Sequence, residues 1–283
     1  MKKIKSSERK IKSSRIIVYT IMILYGAICL YPVIWMGFYS LKNNEEIFVT
    51  NPFGPPMIPQ WGNYIKAVTQ FDILLYFKNS IWVSLAAMFL GILFCLMFTY
   101  VVSRVRVRTT KALHSMVIAG MFIPIQAVMT PLVVMVKNLH LTNTLWSLIV
   151  PYVALSFPFG VMVLYGFYRN LPIELEESAY MEGAGFCKTY FRIILPQMKS
   201  AVSVLIIYQF ISHWNEFSLA LILITKNELK TLPLGLAGFY GQFSTDWGPV
   251  GAALVIASFP VIMLYVFFSN KVSDAMAFSG MKN

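Results

Sequence analysis

Six stretches of this chain are too long and too apolar to form the surface of a soluble protein. They cover residues 16–40, 80–102, 112–136, 145–167, 201–225 and 247–268, and none holds a lysine or arginine. Crossing the hydrocarbon core of a bilayer as a helix takes about 20 apolar residues. In lipid the backbone must satisfy its own hydrogen bonds, so runs of this kind are read as helices. Buried helices of a large soluble core would still turn a polar face to water, and these runs have none. Charged residues make up only 12% of the chain, about half the share of a soluble domain. The expectation is an all-α membrane protein with six transmembrane helices.

The basic residues orient it. With residue 1 inside, the inner segments hold 17 of the 23 Lys and Arg, and the outer segments hold the other 6. That asymmetry fits the positive-inside rule and places both termini in the cytoplasm. The net charge of +11 then follows from orientation and contact with anionic membrane lipid, so no nucleic-acid partner is expected. The first run follows a basic stretch, as a signal peptide would. It is longer than a cleavable apolar core and lacks an A-x-A-like site, so it reads as a retained anchor. The expected organisation is a basic tail over 1–15, a six-span domain over 16–268, an inner loop over 168–200 within it, and a tail over 269–283. Cys29 and Cys95 fall in spans and Cys187 in the loop, a spacing that offers neither a disulfide nor a metal site.

Prolines at 32, 124, 131, 151, 158, 249 and 260 interrupt the spans. They fit either kinks healed by neighbouring helices or bent helices around a cavity. The chain has no G-x-x-x-x-G-K-[ST] loop; Gly185-Phe186-Cys187-Lys188-Thr189 lacks the glycine directly before the lysine. Without that nest of amides no nucleotide phosphate is held. No metal-ligand cluster or catalytic motif is present either. This chain is therefore expected to bind no cofactor and not to be an enzyme. Any ATP and magnesium would sit on a partner.

The inner loop is unusual for its length and its helix signals. Pro172 suits a first helical turn, and Glu174, Glu176 and Glu177 lie where the helix dipole favours carboxylates. Gly183 can close that helix in the left-handed conformation. Phe186, Tyr190, Phe191 and Ile194 recur at helical spacing, and Pro196 is expected to end the second helix. Residues 168–199 hold four acids and four bases. Such an elbow could dock a soluble protein or lie passively on the membrane, and the residues alone leave both open.

A resemblance separates them. The pattern E-S-A-Y-M-E-G, nine residues, then I-I-L-P (177–196) resembles the E-A-A…G…I-x-L-P loop of ABC-importer membrane subunits, with Ser178 in place of the usual alanine. The blocks at 123–132, 141–152, 213–217, 229–236 and 279–283 are similar to the carbohydrate-uptake branch of that family. The resemblance implies a type I ABC-importer permease in a bacterial or archaeal inner membrane. Glu177, Ser178, Ala179, Gly183, Ile193, Leu195 and Pro196 would then form the element seated in a cytoplasmic ABC ATPase dimer. A second, non-identical permease would complete the pore, and an external substrate-binding protein would deliver the cargo.

The fifth span carries the other polar signal. Glu216 is the one acidic residue in the six runs, and a charge at mid-membrane costs roughly 2.5–3.5 kcal/mol, so it seldom faces lipid. Gln209, Ser212, His213 and Glu216 fall at i, i+3, i+4 and i+7, the spacing of one helix face. This stripe, with Gln126 in the third span, is the expected translocation path. The competing reading is that His213 and Glu216 satisfy each other as structural glue. Two other functions stay in view. A stand-alone ion-coupled transporter built on His213 and Glu216 leaves the elbow unexplained, and a membrane sensor or scaffold predicts no substrate flux. Within the ABC class, a non-sugar cargo is the alternative.

Overall fold

The computed structural model describes residues 2–70, 72–105, 107–239 and 246–280, with side chains placed over 15–268. Arg106 and Lys282, both in the inner charge count, and part of the third outer segment lie outside the described residues. Every regular element among the described residues is helical. In chain order the helices are α1 Lys2–Ser40, α2 Gly62–Gln70, α3 Ile73–Arg104, α4 Arg108–Ala119, α5 Ile125–Asn138, α6 Trp146–Asn170 and α7 Glu174–Met181. They continue with α8 Phe186–Thr189, α9 Leu195–Gln197, α10 Lys199–Trp214, α11 Ser218–Leu223, α12 Leu232–Ala237 and α13 Trp247–Gly280.

Among the described residues, four helices meet the length and hydropathy of a membrane span without interruption: Arg15–Ser40, Ile73–Arg104, Trp146–Asn170 and Trp247–Phe268. The other two expected spans are not straight helices. Residues 112–136 are divided by a 107° bend between Phe122 and Ile125. Pro124 stands at that break with φ −66° and an extended ψ of 136°, and it has no N–H to give to a continuing helix. The expected 201–225 span stops at Trp214 and restarts at Ser218. By contrast, Pro131, Pro151, Pro158 and Pro260 lie within continuous helix.

The chain divides into two compact units. The unit formed by residues 1–72 and 238–257 is held by polar contacts at the end of α1. Buried Asn63 of α2 donates to the carbonyls of Ser40 (3.0 Å) and Lys42 (2.9 Å), which α1 leaves unsatisfied. Ser40 and Tyr64 share a 2.8 Å hydroxyl hydrogen bond. Glycine at 248 and 251 lets α13 approach Asn63 and Tyr39 where a Cβ would clash.

The unit formed by 73–237 and 258–283 is built on α3 and α6, with α10 packed against both. Among the described residues, two apolar cores lie along α3. One gathers Cys95, Leu96 and Tyr100 with Val161, Leu164, Tyr190, Ile194 and Leu205; the other gathers Val83 and Ala87 with Leu148, Tyr152, Leu219 and Leu223. Helices in lipid gain little from hydrophobic burial and associate through close packing at small residues, here Gly91, Gly160, Ala87, Ala201 and Ala220. The L-K-T-L-P-L-G-L stretch folds back onto α3. Asn79 donates to the carbonyls of Glu228 (2.8 Å) and Lys230 (2.9 Å), Ser80 accepts from the Leu232 amide (2.7 Å), and Gly235 sits against the Tyr76 ring.

Candidate functional site

Two constellations stand out, one in the elbow between α6 and α10 and one at the break after α10. The elbow forms as its residues dictate. α7 carries Glu174, Glu176 and Glu177 in its first turn. It closes with the amide of Ala184 bonded to the Ala179 carbonyl (2.9 Å) and that of Gly183 to Tyr180 (3.0 Å). This is the Schellman arrangement, which requires a left-handed residue; Gly183 supplies φ +79°. A second helix begins at Phe186 and widens into a π-turn over Tyr190–Ile194. Pro196 does not end it. Proline falls in the first turn of α9, where no N–H is needed, and the chain then bends by 71° into α10.

Within the elbow the two neighbouring glutamates part company. Glu177 is exposed and Glu176 is buried. Arg104 Nε of α3 lies 2.6 Å from Glu176 Oε1, a close ion-pair contact off the hydrogen-bonding axis. The Tyr100 hydroxyl donates to Glu176 Oε2 at 3.1 Å, and Arg104 Nη2 donates to the Leu171 carbonyl at 3.2 Å. Around them Tyr100 packs on Tyr168, Phe186 and Tyr190 at ring separations of 5.7, 5.4 and 4.7 Å. Ser178, Gly183 and Pro196 are exposed with Glu177, Ile193 and Leu195 are half-buried, and Ala179 is packed inward. Met181, at the elbow's tip, is 88% exposed.

At the second constellation, Glu216 is half-buried and acts as a cap. Its carboxyl accepts the amides of Leu219 (2.7 Å) and Ala220 (3.2 Å), which open α11, and the Tyr152 hydroxyl donates to it at 2.7 Å. His213 does not pair with Glu216 directly; its ring stacks on Tyr152 at 5.3 Å. The stripe therefore divides. Gln209 and His213 are buried within the chain, whereas Ser212 and Gln126 are exposed. The Gln209 amide lies between Gly91 and Gly160 and near Ser156, with no hydrogen-bond partner for either end among the described residues.

Sequence reading missed Arg104, Tyr100, Glu176 and Tyr152 as partners. No local signal marked the first three, since Arg104 opens a basic run with Arg106, Arg108 and Lys111. The polar interruption N-E-F-S could have signalled the break that Glu216 caps.

The fold is that of an ABC-importer membrane chain. A chain from the crystal structure of a bacterial ABC transporter involved in import of the acidic polysaccharide alginate superposes with TM-score 0.80 at 19% identity, covering 92% of this chain and 96% of that one. A second, from the alginate transporter in complex with an alginate pentasaccharide-bound periplasmic protein, gives 0.65 at 15% identity, covering 90% and 93%. Residues 91–277 match the family described as binding-protein-dependent transport system inner membrane component, and this chain belongs to that family. It is similar to the diacetylchitobiose uptake system permease protein of Streptomyces coelicolor, at 30% identity over 96% of this chain and 89% of the relative. It is also similar to the sulfoquinovosyl glycerol transport system permease protein of Agrobacterium fabrum, at 31% over 96% and 94%. The trehalose/maltose transport system permease protein of Thermococcus litoralis matches at 28% over 95% and 97%.

Proposed function

We propose that this chain is a permease subunit of a carbohydrate importer, driven by ATP hydrolysed on a partner ATPase dimer. The elbow carries the reading. One side of it is fixed to α3 through Glu176, while Glu177, Ser178, Met181 and Gly183 stay exposed. A fixed inner face and a free outer face suit an element that docks in a soluble partner. Sugar as cargo rests on relatives whose names specify diacetylchitobiose, sulfoquinovosyl glycerol and trehalose/maltose.

In this reading six segments cross the membrane, the bent pair Arg108–Phe122 and Ile125–Asn138 counting as one and α10 with α11 as another, and both termini and the elbow face the cytoplasm. A second permease covers the remaining lipid-length faces and completes the pore, and an external binding protein delivers the sugar. Gln126, Ser212 and the open edge of Glu216 face the path, with Gln209 and His213 behind them. No cofactor is bound by this chain. ATP and magnesium belong to the ATPase.

The test is reconstitution. The chain is co-expressed with neighbouring ATPase, permease and binding-protein genes, and the binding protein is screened by thermal shift against a panel of sugars and polyols. Uptake of the best-shifting radiolabelled sugar into proteoliposomes is then measured with and without internal ATP. The expected result is ATP-dependent uptake by the full complex and no ATP hydrolysis by this chain alone. Uptake without any ATPase would support the ion-coupled reading, and a complex that moves no solute would leave a sensor or scaffold.

A further inference from the structure

The outer face of the elbow is accounted for by docking; the inner face raises a separate question. α6 and α10 are joined to the elbow by the chain itself and must follow it when it moves. α3 is not: 76 positions separate Tyr100 from Glu176. It follows the elbow only through side-chain contact. Apolar packing is non-directional and lets helices slide, whereas an ion pair and a hydrogen bond fix position along the helix axis.

Tyr100 and Arg104 supply that fixing. They stand one turn apart on α3, on the same face. Tyr100 meets both elbow helices, through its hydroxyl to Glu176 of α7 and its ring against Phe186 of α8 and Tyr190 in the π-turn that follows. Arg104 closes on the same carboxyl and also grips the Leu171 carbonyl in the α6–α7 link. The carboxyl is nearly out of solvent, with side-chain exposures of 14% for Arg104 and 8% for Glu176, so water screens the pair weakly.

We infer that Tyr100 and Arg104, clamped on Glu176, are positioning residues that make α3 move with the elbow. The inference rests on the coupling reading above. Without the clamp the ATPase would still displace the elbow, but part of the span bundle would lag, and ATP would be hydrolysed without solute movement.

The experiment uses the full complex in proteoliposomes with its binding protein. Uptake of the sugar chosen by the thermal-shift screen and ATP hydrolysed are measured in the same vesicles, per assembled complex. Glu176→Gln and Arg104→Gln are each expected to lower uptake per ATP by at least about fivefold, the lower end of ordinary coupling between sites. The exchange Arg104→Glu with Glu176→Arg is expected to restore most of the ratio. Wild-type ratios in both single variants would overturn the inference, as would a lowered ratio that the exchange does not rescue. If both singles fail to assemble and the exchange restores assembly, the pair is a folding contact and the proposal falls. A wild-type complex that shows no ATP-dependent uptake sinks the coupling reading itself, before any variant is made.

Discussion

Glu176 and Glu216 are both held by a tyrosine hydroxyl in the same helical unit, yet the two sites solve different problems. Glu176 has a cation: Arg104 lies at 2.6 Å, and Tyr100 adds a longer hydrogen bond at 3.1 Å. Glu216 has no ion pair among the described residues. It relies on two backbone amides at the start of α11 and a short 2.7 Å bond from Tyr152. The first arrangement ties together elements distant in sequence. The second opens a new helix, α11, whose first residue lies two positions on. A hydrogen-bonded acid in such a unit is therefore no single signal: its partners decide whether it is a tie or a cap, and the two should respond differently to the same substitution.

The largest effect is expected on the exposed side of the elbow. At φ +79° a side chain at position 183 carries roughly 1–2 kcal/mol of backbone strain. Among the described residues nothing lies within 4 Å of a Cβ added there, so the further crowding expected for a larger side chain is that of a docked partner. Gly183→Ala should cost only the backbone term and Gly183→Asp much more. Uptake falling about tenfold or more for aspartate, a loss near 1.4 kcal/mol or above, with normal membrane insertion, would place function on the exposed face. Full uptake by the aspartate variant, or equal losses for both, would mean that the free face docks nothing.

On stability rather than uptake, the largest effect is removal of each carboxyl. Glu176→Ala leaves Arg104 without its counter-charge in a nearly dry site, a change that costs about 3 kcal/mol or somewhat less given the residual exposure. Glu216→Ala removes a helix cap and should cost about 1–2 kcal/mol. Thermal unfolding of the detergent-solubilised complex reads the difference. Glutamine sharpens it: the two amides bond different carboxyl oxygens, so Glu216→Gln keeps an acceptor for one of them and should recover part of the loss, whereas Glu176→Gln cannot replace the charge. Equal recovery at both positions would erase the distinction between tie and cap.

The sequence made one of these sites visible and hid the other for a physical reason. Glu216 stood out because an acid in an apolar run is rare, but its role did not, since periodicity assumes an unbroken helix and α10 stops at Trp214. The same assumption straightened 112–136, although Pro124 marked the bend. Elbow geometry was legible down to Gly183 because caps are local. Arg104 and Glu176 were not, because nothing in spacing pairs residues on separate helices. Pro196 misled because a π-turn before it created a new first turn for it to occupy.

Gln209 tests the space between the two sites. Its amide is fully buried, with neither end hydrogen-bonded among the described residues, and an unmet buried polar group costs about 1–3 kcal/mol. Gln209→Met keeps the volume and drops the amide, so the complex should melt higher, by an amount equivalent to about 1 kcal/mol. If uptake falls while stability rises, the amide serves transport in another conformation and the proposed path extends behind Ser212. Lower stability would show that the amide already has partners, such as bound water, and would make it part of the scaffold.

The two hydroxyl deletions are the most discriminating, because the same atom is removed twice. Tyr152→Phe and Tyr100→Phe each delete one hydroxyl and leave the ring packing intact. The Tyr152 bond has the usual O–H···O length and the Tyr100 bond is long. Glu176 also keeps Arg104 when Tyr100 is changed, while Glu216 keeps only its two amides. Tyr152→Phe should therefore cost about 1.5 kcal/mol and Tyr100→Phe about 0.5 kcal/mol in the same unfolding assay. Combined with the alanine variants, each phenylalanine completes a double-mutant cycle. Tyr152 should couple to Glu216 more strongly than Tyr100 does to Glu176, since Arg104 carries most of the second interaction. The reverse order would mean that the tyrosine, not the ion pair, holds the elbow to α3.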